Sequence, residues 1–371
     1  VAKSVREDTA DYLKLFLHDT PLLDVRAPVE FIEGAFPAAH NIPLLDDRQR
    51  ELIGTRYKQQ GQDAAIALGL ELATPALRAQ RLAAWSAFCQ QHPDGYLYCF
   101  RGGLRSRTTQ QWLREHGVHY PLVRGGYKAL RRFLLQQFEQ VCTHTPLVLL
   151  SGPTGSGKTR LLLQLARQVD LEGLAQHRGS AFGRTLHTQP AQISWENAVA
   201  IAMLKQTRGD AHQLPLVLED EGRLIGRIHI PPLLQQEMRK APLVVLELPM
   251  EARVAFIYRE YIASQWPLYQ QQFAEQALQE FSAFVLNNLQ RISKRLGPER
   301  HERVRALFSA GLASLPTADS SAFAAGIRIL LQEYYDPLYD YLLQQRQGSI
   351  LFRGGHAAVL EYLQHYTARP L

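Results

Sequence analysis

The chain has 371 residues, 46% of them hydrophobic, and a formal net charge of +6. That length and apolar content exclude a disordered or fibrous chain and suffice for two or three globular domains, while the modest positive excess suits a polyanionic partner such as RNA without identifying one. Cys89, Cys99 and Cys142 show no CxxC or Cys/His ligand spacing, no run approaches the ~18 apolar residues of a membrane span, and the start lacks a signal-like apolar core; the expected setting is a reducing cytoplasm, with no disulfide framework, zinc site or membrane contact.

In chain order, Asp11 to Leu17 carries a short helical pattern, and Leu22 to Arg26 reads as a buried strand leading into a helix at Val29 to Glu33. Gly34 to Pro43 is a turn and a short strand. Helices are expected from about Leu45 to Gln60 and from Ala76 to Gln91, the second stopped by His92-Pro93-Asp94-Gly95. Tyr96 to Cys99 is an aromatic strand that delivers Cys99 into the loop Phe100-Arg101-Gly102-Gly103-Leu104-Arg105-Ser106, with a helical pattern from Ser106 through Leu113. A cysteine taken alone is more often a small buried residue. Here Gly102 and Gly103 let backbone N–H groups turn inward, Arg101 and Arg105 add positive charge, and a helix N-terminus follows, so the loop favours a nucleophilic thiolate. Leu122 to Tyr127 supplies one more strand and a glycine turn before a basic helix, Lys128 to Glu139. Strands alternating with helices mean a parallel sheet with helices on both faces, and the Cys99 loop then lies at the C-terminal end of a strand, where such folds bind ligands. Arg101, Arg107, Arg124, Lys128, Arg131 and Arg132 make a basic rim if the fold brings them together.

After a break at Cys142 to Pro146, the buried strand Leu147 to Leu150 runs into Ser151-Gly152-Pro153-Thr154-Gly155-Ser156-Gly157-Lys158-Thr159, with helical sequence expected from Arg160 to Val169. This is GxxxxGKT in a strand-loop-helix context. Gly152, Gly155, Ser156 and Gly157 let backbone N–H groups wrap phosphate oxygens, Lys158 neutralises terminal phosphate charge, and Thr159 is placed to hold Mg²⁺. Leu214 to Glu221 is an apolar strand ending in Glu219, Asp220 and Glu221; Asp220 is the first choice for a metal-facing acid, and Glu219 and Glu221 fit solvated strand-end charges equally well. Between these lie His177-Arg178-Gly179-Ser180 and Gln189-Pro190-Ala191-Gln192, a Gly/Ser-containing stretch in which Arg178 and Ser180 are candidate second-site contacts, followed by a helix carrying Trp195-Glu196-Asn197. Leu243 to Leu248 is a third strand. The region of about 251–348 is mainly helical, including an amphipathic helix from Phe273 to Leu296, and Ile350 to Gly355 returns a late strand to the sheet. The aromatics from Tyr334 to Tyr341 read as core packing before base stacking.

Asp24-Val25-Arg26, Glu30 to Gly34, His40-Asn41-Ile42-Pro43, the Cys99 loop and Val123 to Tyr127, in this order, resemble a rhodanese domain. The loop, with five residues between Cys99 and Arg105, is longer than the usual sulfurtransferase loop and similar in length to the Cys-x5-Arg loop of protein phosphatases. The organisation expected is a rhodanese-like domain over 1–141 and a P-loop NTPase-like α/β domain with a helical C-terminal part over 142–371. That fusion, with His177 to Ser180, Gln189 to Gln192, Glu219 to Glu221 and Tyr335 to Tyr339, resembles the tRNA 2-selenouridine synthase family over nearly the whole chain. The resemblance implies an enzyme that replaces sulfur by selenium in the wobble 2-thiouridine of tRNA, with selenophosphate as donor, through an S-geranyl intermediate made from geranyl diphosphate. It implies a selenopersulfide on Cys99, with Arg101, Gly102, Gly103 and Arg105 around the donor phosphate, and a selenophosphate-producing enzyme as a partner. It implies no tightly bound cofactor. GxxxxGKT does not distinguish a nucleotide from an isoprenoid diphosphate, and Mg²⁺ on Thr159 and Asp220 is an optional aid. Two alternatives stay open: a rhodanese-type sulfurtransferase with a regulatory nucleotide-binding P-loop domain, and a non-catalytic RNA-binding carrier.

Overall fold

Three short runs build the first sheet: β1 (Leu22–Asp24), β2 (Ala39–Asn41) and β3 (Tyr96–Tyr98), all parallel, in the order β2-β1-β3. The computed structural model describes residues 6–179, 182, 183, 186, 188–315 and 320–369, and the chain divides into two compact units, Val1–Gln140 with Pro190–Lys205, and Val141–Gln189 with Gln206–Leu371. Side chains alternate across a strand, so Leu22, Tyr96 and Tyr98 pack on one face with Leu15, Phe16, Val123, Leu130 and Leu134. Leu23 and Leu97 pack on the other with Trp85, Phe88 and Leu113. Helices therefore cover both faces. Their starts carry caps: Asp11 accepts from the Lys14 N–H at 3.0 Å, and Asp46 and Gln49 form a capping box before the helix Asp47–Leu72, which kinks at Gly61.

Two expectations change in this unit. Leu122 and Val123 make only isolated parallel bridges, to Leu97 and Thr9, and not a strand, because the chain turns at once through Gly125 and Gly126 into the helix Gly126–His144. The helix Gln192–Gln206, counted with the second domain in the sequence, packs by its 190–205 stretch with the first unit. Its Ala200, Ile201 and Leu204 join the cluster over Leu22 and Tyr98. Ser194 Oγ accepts from the Ala35 N–H at 3.0 Å, and the Asn197 amide donates to the Ala35 carbonyl at 2.9 Å.

The second unit is built on five parallel strands, β4 (Leu147–Ser151), β5 (Gln168–Val169), β6 (Leu216–Glu219), β9 (Leu243–Leu246) and β10 (Ile350–Gly354), in the order β10-β9-β4-β6-β5; β7 (Leu224–Ile225) and β8 (Ile228–His229) form a separate antiparallel pair. β4, β6 and β9 are buried along their whole length, as expected of strands covered on both faces. The helix after the phosphate loop is only Lys158–Leu162. Gln168 and Val169, expected to continue it, pair with Val217 and Leu218 of β6 instead, so tertiary pairing overrides the local helical spacing.

A run of helices from Met250 to Gln344 separates β9 from β10 and has its own core, centred on Phe281, Val285, Val304, Phe308, Phe323 and Ile327. The single helix expected over Phe273 to Leu296 is divided into Trp266–Phe273, Ala277–Arg291 and Ser293–Leu296, with Ala274 at a left-handed φ of +46° in the first break. Two π-helical turns, Arg259–Ala263 and Leu331–Tyr335, interrupt this layer. Among the described residues no helix is long and apolar enough to cross a membrane.

Candidate active-site residues

Cys99 follows β3 directly and is buried, with Sγ 3.2 Å from Ser106 Oγ. The Ser106 hydroxyl also donates to the Gly103 carbonyl at 3.1 Å. One hydroxyl proton cannot serve both partners: with it on the carbonyl the thiol donates to Oγ, and beside a thiolate the hydroxyl turns to sulfur. The loop is closed by backbone on backbone. Tyr127 N–H donates to the Cys99 carbonyl and Lys128 N–H to the Phe100 carbonyl, both at 2.9 Å. A Cβ on Gly126, whose φ is +57°, would lie 2.2 Å from the Cys99 carbonyl oxygen, and one on Gly102 would lie 2.8 Å from Gly125 N. Only glycines permit that approach. Among the described residues, none accepts a hydrogen bond from the backbone N–H groups of Arg101 to Ser106, so the loop keeps a row of donors for an anion.

The arginines of this loop divide. Arg101 is exposed. Arg105 forms a two-pronged pair with Glu30, one arm at 3.0 Å. Burial raises the Glu30 carboxyl, but the hydrogen bond and charge of Arg105 outweigh it and hold the group below its usual range. Arg105 thus lends fixed charge near Cys99 while its guanidinium is already bound. Of the expected basic rim, Arg107, Arg124, Lys128 and Arg132 are exposed, whereas Arg131 is tied to Glu196 and Asn197.

The phosphate loop follows β4. Gly155 and Gly157 hold φ of +80° and +81°, and Lys158 Nζ donates to the Gly152 carbonyl at 3.0 Å. Arg253, buried in the helix Met250–Tyr258, donates to the Thr154 carbonyl and to Asp336 Oδ2, both at 2.9 Å, and so ties the loop to the start of the helix Asp336–Gln344. The loop opens into a cavity of about 670 Å³. Its lining includes Lys158, Thr159 and the acids, and the apolar side chains Phe256, Leu338, Leu342 and Leu343.

Asp220 lines this cavity but is engaged: Ser151 Oγ donates to its Oδ2 at 2.7 Å, and Arg346 pairs with it. The carboxylates that gather are Glu172, Glu219 and Glu221, with one oxygen of each within 4.8 Å of the others. Thr159 hydrogen-bonds Glu219, whose Oε1 is buried with no partner among the described residues. Burial first, then the charge of Glu172, pushes Glu219 up to about 8. Burial and a neighbouring carboxylate push Glu172 and Glu221 up as well, against the opposing charge of Lys158.

Residues 145–369 match the family described as the tRNA 2-selenouridine synthase AAA domain. The chain is 49% identical over 370 residues to a tRNA 2-selenouridine synthase of Marinobacter nauticus, covering 98% of this chain and 99% of that protein. It is 49% identical over 365 residues to the protein so named in Hahella chejuensis (98% and 96%) and 47% over 361 residues to that of Alcanivorax borkumensis (97% and 99%). The chain belongs to the tRNA 2-selenouridine synthase family. The family's AAA domain takes in the phosphate loop, the three gathered carboxylates, Arg253 and Asp336. Of the residues singled out in the sequence, Gly152, Gly155, Gly157, Lys158, Thr159, Arg178, Asp220 and Glu221 line one cavity. Ser156 is buried with its Oγ unpartnered among the described residues. Arg178 donates to the Glu260 carbonyl at 2.5 Å and lies over the Tyr261 ring, and Ser180 lies outside the described residues. Sequence reasoning missed Glu172, Glu30 and the tie through Arg253. Glu172 carries no local signal, because the strand it follows, Gln168–Val169, reads as helix in the sequence.

The raised carboxylates make stability depend on pH. The folded protein retains protons that carboxyls near their ordinary value of about 4.3 release on unfolding, so the protein is expected to lose stability as pH rises from about 5 through about 9. Thermal midpoints measured in chelator at intervals across this window test it. Glu219→Gln should flatten the fall; an unchanged slope in that variant contradicts the assignment.

Proposed function

We propose that this chain converts the wobble 2-thiouridine of tRNA to 2-selenouridine in two chemical stages divided between its units. In the first, the thiocarbonyl sulfur attacks C1 of geranyl diphosphate, the C–O bond to diphosphate breaks, the N3 proton of the base is lost, and the sulfur becomes a thioether. In the second, a selenium nucleophile adds at C2 and geranylthiolate leaves. The observation that carries this reading is a cavity whose lining combines the phosphate loop and Lys158 with the apolar side chains Phe256, Leu338, Leu342 and Leu343. A phosphorylated head and a hydrocarbon tail suit those two surfaces together. Lys158 and the loop amides stabilise the charge that the diphosphate gains on leaving.

The rhodanese-like first unit supplies Cys99 as the nucleophile toward the selenium donor. Its thiolate attacks phosphorus of selenophosphate, the P–Se bond breaks, and hydroselenide leaves as the nucleophile for C2. Water then cleaves the S–P bond to return the thiol and phosphate, while the free N–H groups of Arg101 to Ser106 hold the phosphate. Arg101 is the loop arginine available to that phosphate, because Arg105 is bound by Glu30. The partners are tRNA and a selenophosphate-producing enzyme, and the setting is the cytoplasm. The oxygen-only set Glu172, Glu219 and Glu221, beside Thr159, fits a hard divalent cation, and the unpartnered buried oxygen of Glu219 is a donor such an ion would satisfy. Mg²⁺ held there would offset the negative charge of a diphosphate.

The test is to incubate the full chain with 2-thiouridine tRNA and geranyl diphosphate, selenophosphate, both or neither, and to analyse the nucleosides by mass. S-geranyl-2-thiouridine with the first donor alone and 2-selenouridine with both are expected. Absence of selenated product, with thiocyanate formed when the same chain is given thiosulfate and cyanide, would replace this reading with the plain sulfurtransferase.

A further inference from the structure

Beside the phosphate loop lies a second cavity, of about 40 Å³. Thr154, Tyr261 and Tyr335 line both it and the larger one, so the two adjoin along those three residues. No charged side chain lines the smaller cavity; its walls are hydrocarbon, with Ile257, Phe308, Leu330 and Leu331 among them. Ile257 also meets the phosphate loop: a Cβ on Gly155 would lie 2.6 Å from its Cδ1. Tyr261 and Ile262 come from one π-helical turn, and Leu331 and Tyr335 from the other. Such turns carry an extra residue, cost helix stability and concentrate at functional sites. Two of them walling one small cavity mark it as built rather than left over.

An apolar space of this kind offers water no partners and gains from hydrocarbon. Its size accommodates about three water-sized spheres, the branched end of a chain and no more. We propose that this cavity seats the distal end of the isoprenoid tail of the diphosphate donor and thereby sets the tail length the enzyme accepts. The assignment rests on the reading of the P-loop cavity as the donor site. Ile257 and Leu330 are the residues that determine specificity: both line the cavity, and Ile257 also packs against Gly155 of the phosphate loop.

The full chain is titrated by calorimetry with inorganic diphosphate, dimethylallyl diphosphate, geranyl diphosphate, farnesyl diphosphate and ATP. Affinity should rise about tenfold or more from the five-carbon to the ten-carbon donor and should not rise again at fifteen carbons. Ile257→Phe fills the cavity and should remove the gain between five and ten carbons while inorganic diphosphate still binds. Leu330→Ala enlarges it and should move the preference toward farnesyl diphosphate by about tenfold. A gain that survives Ile257→Phe, together with an unchanged ten-to-fifteen-carbon ratio in Leu330→Ala, overturns the cavity assignment and leaves the donor reading standing. Binding of ATP, with no isoprenoid diphosphate exceeding inorganic diphosphate, overturns both.

Discussion

Cys99→Ser is expected to abolish 2-selenouridine formation and to leave tRNA carrying S-geranyl-2-thiouridine. The exchange is nearly isosteric and the side chain sits between β3 and a loop held by backbone hydrogen bonds from Tyr127 and Lys128, so the fold should persist. What is lost is the sulfur nucleophile; a serine hydroxyl beside Ser106 has no base to activate it. The drop in selenated product should be about 10³-fold or more, in the range seen when a covalent nucleophile is removed. Retention of selenation at the parent rate would mean that selenium is released from its donor without this thiol, and the first unit would lose its assigned role.

Lys158→Ala should show the mirror image. Its ammonium rests on the Gly152 carbonyl at 3.0 Å, within the loop that is to surround the diphosphate, and its charge opposes the rise of all three carboxylates. Removing it takes away the fixed charge that meets the departing diphosphate, and geranylation should fall by about 10²–10³. tRNA geranylated beforehand should still be selenated by this variant. If Lys158→Ala instead blocks selenation of the pre-geranylated substrate while geranylation proceeds, the division of labour between the units is the reverse of the one proposed.

The parts legible in the sequence are those encoded by neighbours along the chain. The strand, glycine loop and helix start around Cys99, and the strand and GxxxxGKT around Lys158, are local patterns, and they appear where they were expected. Glu172 was not legible because its role arises from register. Val169 of β5 lies opposite Leu218 of β6, and Glu172 and Glu221 each follow three residues beyond that pair, so the two acids converge although 49 positions separate them. The same limit explains Asp220, whose partner Arg346 lies just past the last helix of the helical layer. It also explains the short helix after the phosphate loop, where pairing to β6 outweighs local spacing. The helix Gln192–Gln206 is held by Ala35 and Arg131, residues that no local reading connects to it.

The placement of that helix bears on how the protein is made. A nascent chain grown only to residue 141 holds all three strands of the first sheet but lacks the segment that lies over Leu22 and Tyr98. By the time residue 205 has been synthesised, β4 and β5 have already been made, while their neighbours β6, β9 and β10 have not. Each unit therefore waits for residues that come after part of the other, and the two halves mature in overlap, not one after the other.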